Sequence, residues 1–527
     1  MKEFNITGTC IPNKNYMVDT SGKLQKILKM IERGNYFTIN RPRQFGKTTT
    51  LNLLQKALSE SEEYLPIFLS FEGLDSSVYE TQKGFITRLL KLFGDNDYIK
   101  EAGHSEMFYE KMDQFTGFTM FSDFLTKTLP KIEKKIVLMI DEVDRTANYD
   151  LFVELLAMLR SKFLKAQADM DITFHSVILA GVHDIKTLKQ KIRPDSDSMI
   201  NSPWNIAADF RVDMSFNTQE IQTMLNEYMS ITGVSMDVDI ISKRLHFWTS
   251  GYPFLVSKLC LTVDEILLPN RCNETDCQKW LVADIDKAVE MLLAESNTLF
   301  DAMLKYLENS DELFSFIKRV VLGETDFSFE ILDPIIHISY LYGIIDRSER
   351  NKVQIHNKIF EEKITSYFLA KIQRLDNGRD ISDSTTPYLK NNGRLDFDKV
   401  MLKFQEAIKE KYRESKLMQE EKYLEEDFRL LFLVFLKPII NGYGFSFKEV
   451  QTGGERRLDV VVVFKDEKFV VELKIWRGDE YHQEGIKQLK HYMELESINK
   501  GYMLIMNKNK NKEFRHSVDD GILMVWV

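Results

Sequence analysis

The run Asn40 to Leu51, N-R-P-R-Q-F-G-K-T-T-T-L, restricts this chain more than any other stretch. It follows the β-prone residues Tyr36 to Ile39 and opens a run whose apolar residues Leu51, Leu54 and Leu58 recur at helical spacing. Strand, tight loop, Gly-Lys-Thr and helix, in that order, predict a phosphate-binding loop. Loop N–H groups and a helix N-terminus converge there on an anion, and the aligned peptide dipoles favour negative charge. Lys47 is expected at the β/γ-phosphates and the Thr48 hydroxyl on Mg²⁺. The loop departs from G-x-x-x-x-G-K-[ST] at its first position, where Arg41 stands before Pro42. A Cβ disfavours positive φ, so the loop is expected to start along a different backbone path.

Residues 1–215 read as strands and helices in alternation, the pattern of a mostly parallel sheet. Pro66 to Phe71 is a short apolar strand, and helical stretches follow near 77–93 and 106–130. Lys135 to Glu142, K-I-V-L-M-I-D-E, holds five apolar residues in a row, as in a strand buried on both faces. Its two acids stand at the carboxyl end, where such sheets bind ligands. Asp141 is expected to hold Mg²⁺ and Glu142 to polarise the attacking water. Another buried strand, Phe174 to Leu179, precedes His183, a candidate γ-phosphate sensor. Arg193 and Arg211 are the nearest arginines for a phosphate contact, and the choice between them stays open.

The loop R-P-R-Q-F-G-K-T closely resembles the R-P-R-x-F-G-K-[ST] loop of the AAA-ATPase-like family, in which the missing first glycine is the rule. Tyr16 to Thr20 resembles the family's Y-V-D-K-T segment, with Thr20 where the family usually has Lys. The resemblance implies ATP bound by Arg43, Gln44, Phe45, Gly46, Lys47, Thr48, Thr49 and Asp141, with Mg²⁺ on Thr48 and Asp141. Residues 216–295 turn helical, and Gly251-Tyr252-Pro253 resembles the G-x-P element in the lid of initiator-like and signal-transducing (STAND) ATPases. Residues 296–372 read as helices followed by two short strands around a charged turn, like a winged helix that binds DNA or packs on the ATPase. Residues 373–400 are polar and rich in turn formers, a linker candidate. The charged stretch Phe397 to Glu421 reads as a solvated helix joining the two halves.

A second chemical centre lies in residues 401–527. A helix from Tyr423 to about Leu436 carries Glu425 and Glu426 at its start; strands Phe445–Val450, Leu458–Phe464 and Phe469–Ile475 follow. Side chains alternate along a strand, so Glu472 and Lys474 share a face, and Asp459 on the adjoining strand can join them. Asp459 and Glu472 offer hard oxygen ligands to Mg²⁺, and Lys474 can position the water and steady a scissile phosphate. Asp459 with Glu472-Leu473-Lys474 resembles the PD-(D/E)XK nuclease superfamily, Leu458 replacing the usual Pro. Glu426 matches its helical Glu, with Glu425 as the alternative. Gln488 and Tyr492 match the Q-x-x-x-Y feature of RecB-type nucleases. Pairing of ATPase and nuclease regions is typical of the N-terminal family.

The expectation is therefore an α/β chain: a P-loop AAA-like ATPase core with a parallel sheet (1–215), a helical lid (216–295), a winged-helix-like module (296–372), a linker (373–400) and an α/β restriction-endonuclease-like domain (401–527). Its expected function is ATP hydrolysis coupled to Mg²⁺-dependent cleavage of nucleic acid, DNA rather than RNA, with Mn²⁺ as a substitute ion. The alternative is a nucleotide-switched nucleic-acid-binding regulator whose C-terminal module does not cleave. A homo-oligomer through the ATPase region is compatible with either. The length, 527 residues, agrees with about three domains. Four scattered cysteines suit a reduced, cytoplasmic protein, not a disulfide framework or zinc site. The N-terminus lacks a signal-peptide h-region, and no apolar run is long enough to span a membrane. Net charge is −10, yet residues 401–527 carry 22 Lys+Arg and 22 Asp+Glu, so the acidic excess lies upstream.

Overall fold

The computed structural model describes residues 2–110, 112–143, 150–181, 204–271, 278–322, 327–375, 388–390, 392–414, 425–440, 444–448, 460–464, 467–476, 479–495, 498–507 and 513–527. They form two compact units, Met1–Phe314 with Phe327–Lys363, and Ser315–Asp326 with Ile364–Val527. His183, Arg193, Asp459, Cys272, Cys277 and residues 376–387 and 391 of the expected linker lie outside the described residues.

The first unit is built on β1 (Tyr36–Asn40), β2 (Tyr64–Ser70), β3 (Lys135–Asp141) and β4 (Ser176–Gly181). They form one parallel sheet in the order β1-β4-β3-β2. Near-continuous apolar runs suit strands covered on both faces, and Phe37, Ile39, Val137 and Val177 to Ala180 are all fully buried. Register aligns the carboxyl ends: Asn40 pairs with Gly181, and Ser70 with Asp141. The segments leaving β1, β3 and β4 therefore emerge along one edge. Beyond β1, the Ala208 N–H donates to Tyr36 O at 2.8 Å and continues the parallel pairing. Helices Gln82–Asp95, Phe118–Thr128 and Asp150–Gln167 contribute Phe85, Leu89, Phe121, Leu125, Leu155 and Leu159 to the core around the sheet.

Four helices follow: Thr218–Thr232, Val238–Thr249, Pro253–Thr262 and Val282–Ala294. Asn217 and Glu220 cap the first reciprocally. The N-terminal segment packs on this helix: the rings of Phe4 and Tyr16 each stand 5.2 Å from Tyr228, and the Asp19 N–H donates to the Thr223 hydroxyl. Gly251 precedes Pro253, which occupies the first helical turn, where its missing N–H costs nothing. Gly251 has φ +73°, and a Cβ there would stand 2.0 Å from Phe216 O. The Phe216 N–H donates to Gly251 O at 2.8 Å, so the clash cannot be relieved by a side-chain rotation. Gly251→Ala is expected to lower folding stability by about 2 kcal/mol or more, read as a fall in denaturant midpoint.

Helix Pro334–Leu341 leads into the antiparallel pair β5 (Ile345–Arg347) and β6 (Val353–Ile355). Asn351, at φ +59°, sits in the turn between them, and helix Lys358–Leu375 follows.

In the second unit, β7 (Gly444–Lys448), β8 (Val460–Phe464), β9 (Glu467–Ile475), β10 (Gly501–Met506), β11 (His516–Asp519) and β12 (Ile522–Trp526) form one sheet. The order is β11-β12-β10-β9-β8-β7. β7, β8 and β9 are antiparallel neighbours; β10 returns parallel to β9 after helix Asp479–Leu495. Helix Glu425–Ile440 precedes β7 and includes Pro438, expected to end it. Val471 and Leu473 face helices Phe397–Glu414 and Glu425–Ile440, while Val470 joins Leu489 and Tyr492 of helix Asp479–Leu495. Both faces are thus covered. The reading of Phe397 onward as a solvated connector is corrected: Phe397, Val400, Met401, Phe404 and Ile408 are buried in this unit's core. Their helical spacing forms an apolar stripe among charged neighbours. Tyr388 and Leu395 join the same core, ahead of residue 401.

Candidate nucleotide and metal sites

The segment after β1 runs through Arg41 and Pro42, turns at Arg43 and Gln44 and enters helix Lys47–Ser59 through Gly46. Arg41 does not adopt positive φ; the left-handed residues of the loop are Gln44 (φ +56°) and Gly46 (φ +78°). Nothing lies within 4 Å of a Cβ built on Gly46, so backbone conformation, not space, calls for glycine there. Lys47 is buried, and its ammonium donates to Arg41 O at 3.0 Å and Pro42 O at 2.9 Å. The cation is thereby held inside the loop that the helix N-terminus makes electropositive.

Asp141 closes β3 and is 2% exposed. The Thr48 hydroxyl donates to its Oδ2 at 2.6 Å, and the Glu142 N–H donates to its Oδ1 at 2.9 Å. Thr48 and Asp141, far apart in sequence, thus present hard oxygens at one point, the donor chemistry Mg²⁺ takes. Glu142 has φ +58°. A residue with a Cβ held in the left-handed region costs about 1–2 kcal/mol, and such strain clusters at functional sites.

Two residues assigned to the nucleotide by resemblance turn their side chains elsewhere. Phe45 is 4% exposed, its ring edge-on to Tyr252 at 4.7 Å and near His356 at 5.9 Å. A large apolar ring gains more by burial there than beside a charged phosphate. The Thr49 hydroxyl accepts the Cys10 N–H at 3.1 Å. Arg43 and Gln44 are exposed; Arg43 O accepts the Tyr252 hydroxyl. Arg211 is exposed and pairs with Asp209 at 3.1 Å.

Several contacts were not legible beforehand. The buried hydroxyl of Tyr252, from the Gly-Tyr-Pro turn, bonds the phosphate loop directly. Gly343 abuts Pro42 so closely that a Cβ would stand 2.3 Å from Pro42 Cγ. A tyrosine between Gly and Pro, and a glycine just before a strand, were the only signals. His356 lies against the same rings, 5.5 Å from Tyr252, and burial pushes its pKa below the ordinary 6.5 although Asp346 and Asp213 oppose this. Burial also lowers His175 and His246. The unfolded chain therefore takes up protons that the folded chain refuses. The stability these neutral histidines give is complete above pH 6.5 and is lost as pH falls through their depressed folded values. Melting temperature should be flat from about pH 7 to 8 and decline below about 6.5, less steeply for His356→Gln.

In the second unit, Glu472 and Lys474 share the face of β9 that carries Val470. The Lys474 ammonium is 2.9 Å from Glu472 Oε1, with the two side chains 15% and 1% exposed. Gly485 on the covering helix admits Lys474: a Cβ there would be 3.3 Å from Lys474 Cε. Tyr492 is buried with Leu489 and Met503, and Gln488 is half-buried one turn before it. Glu425 and Glu426 belong to the first turn of helix Glu425–Ile440. Val460, the first described residue of β8, pairs with Val471, next to Glu472. Among the described residues, no group of three or more His, Cys, Asp or Glu is arranged to hold a metal.

A family model described as "AAA-like domain" matches residues 10–364. The chain belongs to the AAA-like domain family. A second model, "Domain of unknown function (DUF8371)", matches residues 396–510 of this AAA-like protein. No curated protein matches it. Among solved structures, it is similar to the Walker-type ATPase paby2304 of Pyrococcus abyssi, with 12% identity, 68% of this chain and 99% of that chain covered, and a TM-score of 0.45. The RuvB Holliday junction branch migration motor of Thermotoga maritima gives 14% identity, 69% and 96% coverage and 0.33. The ORC2 protein of Aeropyrum pernix gives 10% identity, 70% and 98% coverage and 0.35. Family membership rests on the sequence match; with the phosphate loop and Asp141, it makes the first unit of this AAA-like protein a P-loop ATPase that binds ATP. Among the described residues, no helix is long and apolar enough to cross a membrane.

Proposed function

We propose that this AAA-like protein hydrolyses ATP and uses the nucleotide to control a Mg²⁺-dependent nuclease formed by its C-terminal unit. The observation that carries the second half is the Glu472–Lys474 pair, 2.9 Å apart on one face of β9. Its setting supports the reading: helix, three antiparallel strands, helix and a parallel strand follow one another in that order. The resemblance to PD-(D/E)XK nucleases, carried by Asp459, Glu472 and Lys474, implies their roles. Asp459 directly precedes β8, whose Val460 pairs with Val471 beside Glu472.

In this reading, Asp459 and Glu472 hold the cation, which on binding makes water a better nucleophile and neutralises charge on the phosphoryl oxygens. Lys474 orients that water and steadies the scissile phosphate. Glu426 contributes from its helix, and Gln488 orients groups at the rim. The buried ring of Tyr492 fixes the helix that carries Gln488. In the first unit, Lys47 holds the β/γ-phosphates, Thr48 and Asp141 hold Mg²⁺, and Glu142 polarises water. The substrate is nucleic acid, DNA before RNA, and residues 1–215, 216–295, 296–372 and 401–527 act as core, lid, winged module and nuclease. Subunits associate through the ATPase region.

The test incubates the parent chain, Glu472→Gln and Lys474→Met with plasmid and single-stranded DNA, with Mg²⁺ or Mn²⁺ and with or without ATP. Cleavage by the parent alone is expected. Equal cleavage by all three would remove the Glu472–Lys474 nuclease reading, and no cleavage by any of them would leave a nucleotide-switched clamp that binds without cutting.

A further inference from the structure

Arg41 stands where the general phosphate-loop pattern has its first glycine, and its guanidinium is bonded to two backbone carbonyls. Its backbone N–H donates to Gly181 O at 3.2 Å, joining the loop to the end of β4. One terminal guanidinium nitrogen donates to Asn40 O and the other to Val212 O, each at 2.8 Å. The guanidinium carbon lies 5.4 Å from the centre of the Phe210 ring. Phe210 stacks in turn on Phe37 of β1, at 5.9 Å and 3° between planes. Arg41 also lines a cavity of about 300 Å³ bounded by Thr38, Asn40, Phe210 and Tyr340, to which Gly46, Lys47 and Thr48 do not contribute.

We propose that Arg41 is a positioning residue that replaces the absent glycine: it fastens the first turn of the phosphate loop to the sheet edge and presets it for ATP. This rests on the ATP reading of the loop and adds a role for a residue that reading leaves idle. A glycine start supplies backbone freedom; a planar fork bonding two carbonyls over a ring supplies rigidity instead. The same two carbonyls, Arg41 O and Pro42 O, that receive the Lys47 ammonium lie in the turn being fastened. Loosening that turn should therefore reach the phosphate-binding lysine without touching it.

The decisive variant is Arg41→Gly, which restores the general glycine pattern while deleting the fork. Binding of a fluorescent ATP analogue with Mg²⁺ is measured by titration, alongside melting temperature with and without Mg-ATP. Arg41→Gly is expected to bind at least tenfold more weakly and to lose most of the nucleotide-induced rise in melting temperature. Arg41→Lys should fall between it and the parent. Phe210→Leu, which leaves the loop sequence intact, should weaken binding severalfold and serves if Arg41→Gly does not fold. Binding by Arg41→Gly, or by Phe210→Leu in its place, within twofold of the parent would overturn the proposal. Lys47→Ala separates the two readings: if it too binds like the parent, the ATP assignment of the loop has failed and not merely the role of Arg41.

Discussion

Glu142→Gln should bind Mg-ATP as the parent does and turn it over about 10²–10⁴ times more slowly. The substitution keeps size and removes only the carboxylate's ability to take a proton. Its neighbour Asp141 stays in place because its contacts are the Thr48 hydroxyl and the backbone N–H of residue 142, neither of which the change alters. The left-handed φ of +58° at residue 142 aims the side chain off the strand direction, and Gln tolerates that backbone no worse than Glu. Lys47→Ala acts on the other half of the equation. It removes a buried ammonium that bonds two loop carbonyls, and with it the principal cation for the phosphates. Nucleotide binding itself should disappear, visible as loss of the thermal upshift that Mg-ATP gives the parent. Chelation of the metal should stop turnover in the parent. If Glu142→Gln hydrolysed ATP at the parent rate, the acid at the end of β3 would be a helix-capping residue and the water would be activated elsewhere.

The phosphate loop, β1 and β3 could be read from sequence because their signals are local. Five apolar residues ending in Asp141-Glu142 need no partner to be recognised as a buried strand, and Gly46-Lys47-Thr48 fixes a helix start by itself. What escaped was long-range. The Tyr252 hydroxyl on Arg43 O and Gly343 against Pro42 join residues separated by two hundred positions or more, and no spacing rule reaches that far. Phe45 is assigned to ATP by resemblance alone; the ring of Tyr252, distant in sequence, accounts for its burial. The helix Phe397–Glu414 was misjudged for a different reason. Its abundant charges, of which Lys399, Lys403, Glu406 and Lys409 are exposed, dilute the average, while Phe397, Val400, Met401, Phe404 and Ile408 keep the period that its burial required. In β9, alternation put Glu472 and Lys474 on one face. Helix Asp479–Leu495 closes that face with Gly485 in close contact with Lys474 and Met503, a contact that no periodicity reports.

That closure sets the terms of the largest effect expected in the second unit. Glu472→Gln should lower DNA cleavage by about 10²-fold or more; the amide fills the same volume but leaves the Lys474 ammonium without its carboxylate, so melting temperature is measured for this variant too. Lys474→Ala is a harsher change. It deletes an ammonium only 2.9 Å from a carboxylate that is 1% exposed. Removing one member of a buried ion pair typically costs about 3–5 kcal/mol, since the remaining charge keeps its desolvation penalty without its neighbour. A loss of cleavage in Lys474→Ala would therefore be ambiguous unless its melting temperature is measured alongside. Lys474→Met keeps most of the stem that packs beside Gly485 and removes only the charge. Cleavage lost in Glu472→Gln and in Lys474→Met, assayed well below the melting temperature measured for each variant and with DNA affinity close to the parent, marks the pair as chemical. Cleavage retained in both, with melting temperature lowered, marks it as a structural ion pair sealed beneath a helix, and the residues that cut the nucleic acid then lie elsewhere.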